Sequence, residues 1–259
     1  MPILSYKILE KTKPNEISTT GAEEGVLSIL IKTDNEHYKA QVYSELVANR
    51  LAMFLGIPVA IGVPAKHSET KDRLSFASLM AFEEDSEIYD FTHTDYRSLE
   101  PPRNTPKGIL QGMDHLQEVI KLTKLYPLEI AFLTVFDFWV GNEDRPYNFK
   151  AELSKGNRGI IFALDHGSSL LACKSTIDGS LERLNQHNYP SFHPFQKMIH
   201  PLYAGEMIER IVSMPDWAVE SATIFDEAIG NVTPVDQYAL FETLKVRRKY
   251  LRQQIQNII

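Results

Sequence analysis

The chain has 259 residues, 43% hydrophobic and 24% charged, which is ample length for a substantial core and an ordinary composition for a globular protein. A net charge of −7 argues against broad nucleic-acid binding, so no direct nucleic-acid partner is expected. No apolar run approaches a membrane span, and Met1-Pro2-Ile3-Leu4 lacks the basic start and apolar core of a secretory signal. With Cys173 as the single cysteine there is no internal disulfide, and a cytoplasmic protein without a membrane partner is the expectation.

In chain order, Ser18-Thr19-Thr20-Gly21-Ala22-Glu23-Glu24-Gly25 reads as a small-residue turn leading into a β-branched and aliphatic strand at 26–33. Apolar residues at helical spacing predict a helix over 39–55, stopped by Gly56 and Pro58. Strands follow at 59–63 and 74–82, separated by the polar loop 67–72. The acidic run Glu83-Glu84-Asp85-Ser86-Glu87 marks a change of character, and 85–112 reads as an irregular connection. Helices are expected at 114–122 and, strongly apolar, at 127–140. Short strands at 149–153 and 160–164 flank a hairpin turn, and helices are expected at 204–214, 217–228 and 236–257.

The chemistry concentrates at Gly141-Asn142-Glu143-Asp144-Arg145-Pro146-Tyr147-Asn148 and at Leu164-Asp165-His166-Gly167. An apolar helix ending at Val140 would deliver Asp144 to the floor of a cleft, and the hairpin would return Asp165 to face Asn148. Asn148 and Asp165 would be hard oxygen ligands suited to Mg²⁺ on a nucleoside triphosphate, with Asp144 as a base for an attacking hydroxyl. The alternative is that these residues only cap turns. Lys32, in an apolar strand, would hold α/β-phosphate oxygens with Glu45 fixing its position, or else be a solvated strand end. Backbone N–H groups of the Gly21–Gly25 turn would cover phosphates, although this is not a P-loop pattern and a plain hairpin turn explains the glycines nearly as well. Asp137, inside the apolar helix, is a candidate anchor of the catalytic loop by hydrogen bonds. His187, His193 and His200 show no zinc spacing, Cys173 reads as a buried small residue, and Glu152 as a solvated strand residue.

The order of these features resembles the HipA-like kinases: a Gly-containing turn, Ile31-Lys32, Glu45 in a helix ending Leu55-Gly56-Ile57-Pro58-Val59, Gly-Asn-x-Asp-Arg-x-x-Asn, then Asp-His-Gly. The resemblance covers roughly residues 18–60 and 128–170. It implies an α+β, two-lobed protein-kinase-like fold, with a small β-rich N-lobe (1–82) carrying one helix and a larger, mostly helical C-lobe (83–259). It implies ATP and Mg²⁺ as cofactors, Asp144 as catalytic base, Asn148 and Asp165 as metal ligands, and Gly21, Gly25, Lys32 and Glu45 on the nucleotide. The chain departs from the pattern in having three residues between Asp144 and Asn148 where such kinases commonly have four, and His166 where protein kinases have Phe.

The function expected from this resemblance is ATP-dependent phosphorylation of a protein Ser/Thr hydroxyl, as a bacterial toxin or regulatory kinase with an antitoxin partner. Ser18, Thr19 and Thr20 are candidate autophosphorylation sites. A lipid kinase and a catalytically inactive nucleotide-binding scaffold are the alternatives. Residues 83–125 and 171–200 are expected to shape the acceptor side.

Overall fold

The computed structural model describes residues 6, 8–14, 22–66, 74–79, 88–90, 120–145, 148–152 and 161–259. Strands β1 (Ile8–Pro14) and β2 (Glu23–Leu27) form an antiparallel ribbon. After Ser28 the chain resumes as β3 (Ile29–Lys32), so the strand expected at 26–33 is two strands serving different sheets. The reason is in the pairing: Leu27 ends opposite Ile8 in the ribbon, while Ile29 begins opposite Leu79.

Helix α1 (Gln41–Leu55) follows; its first turn receives an outside acceptor, Asp34 Oδ1, on the Val42 N–H at 2.9 Å. Gly56, at φ 72, closes it in the left-handed conformation that glycine adopts without a Cβ penalty. Strands β4 (Gly62–Lys66) and β5 (Leu74–Leu79) complete a three-stranded antiparallel sheet in the order β3-β5-β4. Pro64 is tolerated because, among the described residues, β4 is an edge strand paired with β5. The strand expected at 59–63 is displaced: Val59 makes a lone parallel bridge to Ala163 and the strand starts at Gly62. Asn49 of α1 holds that crossing, donating to Ala60 O at 2.7 Å and accepting from Gly62 N at 3.3 Å.

Within the connection expected to be irregular, β6 (Ile88–Asp90) pairs with β7 (Phe149–Glu152), and β7 pairs with β8 (Ile161–Ala163), all antiparallel. The rest of 85–112, the loop 67–72 and the turn 154–159 lie outside the described residues, as does most of the helix expected at 114–122; residues 120–125 are helical. Helix α2 (Pro127–Val140) has Pro at its first position, and every residue from Ile130 to Val140 is buried. A helix apolar on all sides belongs in the middle of a core. It packs against α4 (Pro201–Ser213) and α6 (Pro234–Gln256).

The sequence did not announce α3 (Ile177–Leu184), which is capped by Thr176. Helix α5 (Asp216–Thr223) is shorter than the 217–228 expected, because the Gln237 side chain takes the Phe225 N–H (2.9 Å) and donates to Glu227 O (2.7 Å). Arg247 is buried on α6 and donates to the carbonyls of Phe138, Trp139, Leu184 and Tyr189, which places a cation at the C-terminal end of α2. Among the described residues no helix is long and apolar enough to cross a membrane.

Candidate active site

Two backbone hydrogen bonds join the α1–β4 crossing to β8: Ala60 N to Ala163 O at 3.0 Å and Ala163 N to Pro58 O at 2.8 Å. They bring the end of β3 and the face of α1 against the Leu164-Asp165-His166-Gly167 segment. There Lys32 Nζ lies 2.5 Å from Glu45 Oε1 and 2.8 Å from Asp165 Oδ1. The side chains of Lys32 and Glu45 are 9% and 3% exposed, whereas Asp165 remains 37% exposed and so stays accessible to solvent. The solvated-strand-end alternative for Lys32 is thereby removed. Glu45 also accepts the His166 N–H at 3.2 Å.

Burial pushes the Glu45 carboxyl up to about 7; Lys32 opposes the rise and the negative charge of Asp165 adds to it. For Asp165 burial also acts upward, but Lys32, the hydrogen bonds from Glu45 and the Gly167 N–H outweigh it and hold its carboxyl below the usual range. Asp165 adopts φ 48, a left-handed backbone that is unusual for a non-glycine residue. An outlier of this kind is strain held in place by its surroundings.

The opposite wall is the loop after α2. Gly141 ends the helix at φ 71, and a Cβ there would stand 2.5 Å from Leu184 Cδ2, so both backbone and space require glycine. Asp144 is half-buried; its Oδ2 accepts from Asn148 Nδ2 (3.0 Å) and Ser168 Oγ (3.5 Å). Asn148 Nδ2 also donates to Asp144 O at 2.7 Å, so the loop with three intervening residues still returns Asn148 onto Asp144. Burial and then the charge of Asp165 raise the Asp144 carboxyl above its ordinary value.

Behind both walls lies Asp137, fully buried. Its carboxylate accepts Arg145 Nε (2.7 Å) and Arg145 Nη2 (2.9 Å) side by side, Asn142 Nδ2 (3.0 Å) and His193 Nε2 (3.0 Å). Burial acts upward on Asp137, but the Arg145 charge and the His193 hydrogen bond leave it far below the usual carboxylate range. Arg145 goes on to Asn148 O (2.5 Å), Leu164 O (2.6 Å) and His166 Nε2 (2.8 Å). Burial, reinforced by Arg145, pulls His166 down to about 3, so it is a neutral acceptor for that guanidinium. One planar bidentate pair therefore locks together the loop carrying Asp144 and Asn148 and the segment carrying Asp165.

All of Lys32, Glu45, Asp144, Asn148 and Asp165 are thus brought together at one place. Gly25 is not: it sits inside β2 opposite Lys11, where a Cβ would stand 3.2 Å from Glu10 O, so close strand approach accounts for it. Gly21, with Ser18, Thr19 and Thr20, lies outside the described residues. Asp137 anchors the loop as the sequence suggested, whereas Arg145, His166 and His193 were not read as part of the site. Arg145 was legible in the Asp-Arg pair; His193 carried no local signal. Of the three histidines weighed for zinc, His187 and His200 lie against tyrosines, Tyr250 and Tyr203 respectively. Cys173 is only partly buried, its Sγ 3.8 Å from Ser180 O.

The donor set suits a hard divalent cation. Asp165 is near enough to raise the cost of ionising Asp144, and the Asn148 amide nitrogen turned to Asp144 leaves its carbonyl oxygen as the atom available to a metal. Among the described residues no group of three or more His, Cys, Asp or Glu forms a complete metal cage. Two carboxylates and an amide match Mg²⁺, which takes few protein ligands and retains water and phosphate oxygens.

The sequence matches no protein-family model and no curated protein. Solved structures do match. The proinflammatory kinase CtkA of Helicobacter pylori is similar at TM-score 0.58 and 17% identity, over 89% of this chain and 90% of that one. HipA of Shewanella oneidensis, solved with HipB and operator DNA, is similar at TM-score 0.52 and 12% identity, over 96% of this chain and 68% of that one. The chain therefore has the HipA-like kinase fold, a mixed α/β architecture of small antiparallel sheets and helices.

Proposed function

We propose that the chain is an ATP- and Mg²⁺-dependent phosphotransferase whose acceptor is a Ser/Thr hydroxyl of a protein. The observation that carries this reading is the convergence of Lys32, Glu45, Asp165, Asn148 and Asp144, from β3, α1 and two separate loops, at one place in a kinase fold. Asn148 and Asp165 would hold Mg²⁺, which when bound neutralises phosphate charge. Lys32, held by Glu45, would place α/β-phosphate oxygens, with Gly21 admitting backbone close to them. Asp144 would orient the acceptor hydroxyl and take its proton as oxygen bonds to the γ-phosphorus and the bond to the β–γ bridging oxygen breaks, releasing ADP. Its raised pKa suits a group that must accept that proton.

Residues 1–82 and 83–259 would act as the two lobes around the nucleotide. The acceptor would meet the enzyme in the cytoplasm, and the complex in which HipA was solved makes a neutralising antitoxin a partner to test. Purified protein is expected to turn over ATP with Mg²⁺ and to phosphorylate protein, both lost in Asp144→Ala; phosphoproteomics of cells expressing the two forms would name the acceptor. Nucleotide binding without turnover under any condition would sink the enzyme and leave a scaffold.

A further inference from the structure

The segment 187–197, between α3 and α4, reaches the catalytic loop from behind at two points. His193 is 1% exposed; its Nδ1 accepts the Phe195 N–H at 3.3 Å, which leaves the ring proton on Nε2, and Nε2 lies 3.0 Å from Asp137 Oδ2. Ser191 donates from both N and Oγ to Glu143 Oε1, at 3.0 and 3.1 Å. Asp137 and Glu143 stand on either side of Asn142, which binds Asp137 through its amide nitrogen and receives the Asp144 N–H on its oxygen at 3.0 Å. The two tethers therefore bracket the residue that holds the backbone N–H of Asp144. On its outer side the segment borders a cavity of about 430 Å³ between Pro190, Lys197, Tyr250 and Ile258.

We propose that this segment is a strap that sets the catalytic loop, with His193 as a positioning residue for Asp144 and Ser191 as its weaker auxiliary. For its kinetic consequences the proposal rests on the phosphotransferase reading. Among the described residues the strap bonds to the Asp144 wall and makes no hydrogen bond or ion pair with Lys32 or Glu45, so its loss acts on turnover and leaves nucleotide binding in place. Partners one step removed from the chemistry are typically worth 10–100-fold when they orient a reacting group.

The test compares His193→Leu, which removes the donor, with His193→Gln, whose amide keeps one, and with the exposed Ser191→Ala. His193→Leu is expected to lower kcat about 10–100-fold with KM for ATP within about twofold, and His193→Gln to recover most of the loss. Ser191→Ala is expected to cost about two- to fivefold, as for one exposed hydrogen bond. A second readout is independent of catalysis: in ¹⁵N-arginine-labelled protein the Nε–H signal of Arg145 is expected to shift in His193→Leu, while that of buried Arg247 reports an intact fold. Undiminished kcat in folded His193→Leu, or a Gln variant no better than the Leu variant, overturns the strap. If wild type transfers no phosphate the functional reading fails, and the Arg145 signal decides alone: shifted supports the strap, unmoved overturns it.

Discussion

Two charge clusters sit back to back in this molecule and differ in what they leave undone. The cluster on Asp137 is closed: one carboxylate, one guanidinium and two neutral histidines, every one buried and hydrogen-bonded. The cluster on Lys32 is open: one ammonium serves two carboxylates, a third carboxylate stands near them, and Asp165 stays accessible to solvent. A balanced, desolvated cluster has nothing to offer a ligand and can only hold things in place. A negatively charged one, in which Asp165 raises the pKa of both Asp144 and Glu45, is unfinished without a cation.

The comparison predicts opposite responses to mutation. Asp144→Asn should lower ATP turnover about 10²–10⁴-fold, as expected for a general base. Because the lost charge repels Asp165, the metal-free protein should at the same time hold or raise its melting temperature in a thermal scan. A matching loss of stability would mean that the open cluster is structural. Asp137→Ala should do the reverse, leaving Arg145 buried without a counter-charge and costing about 3–5 kcal/mol by denaturant titration.

Smaller effects sharpen the contrast. Lys32→Met should weaken Mg²⁺-nucleotide binding about 10–100-fold by calorimetry, the value of a hydrogen bond to a charged group, and should also lower stability, because it leaves buried Glu45 without its cation. Gly141→Ala, at φ 71 and against Leu184, should destabilise by about 1–3 kcal/mol and lower activity through the loop it starts.

The closed cluster also has a pH signature. Native His166 stays neutral down to about 3 while the unfolded chain protonates near 6.5, so stability falls as pH drops through that interval. The slope per histidine is at most about 1.4 kcal/mol per pH unit. Glu45, raised to about 7, works oppositely between its ordinary value and 7, stability falling as pH rises. Comparing wild type with His166→Gln isolates the first effect, and the variant should show the flatter acid limb.

Periodicity made α1, α2 and α6 legible within a few residues, since each is an apolar pattern bounded by Gly, Pro or a capping box. The break at Ser28, the small strand β6 and the early end of α5 were not legible, because each depends on a partner remote in sequence: Leu79, Glu152 and Gln237. Gly25 reads in sequence as a turn residue; strand pairing with Lys11 decided otherwise.

The same division runs through the site. By itself the sequence determined the residue types and their order, because a carboxylate base, an amide and a second carboxylate at short spacing carry chemistry wherever the fold puts them. Only the tertiary structure decided that Lys32 meets both Glu45 and Asp165, that Asn148 folds back on Asp144 across a short loop, and that His193 closes on Asp137 from 56 residues away. Those contacts exist because a helix apolar on every side had to be buried, and burying it carried Asp137 into the core, where its charge required Arg145 and the strap to satisfy it.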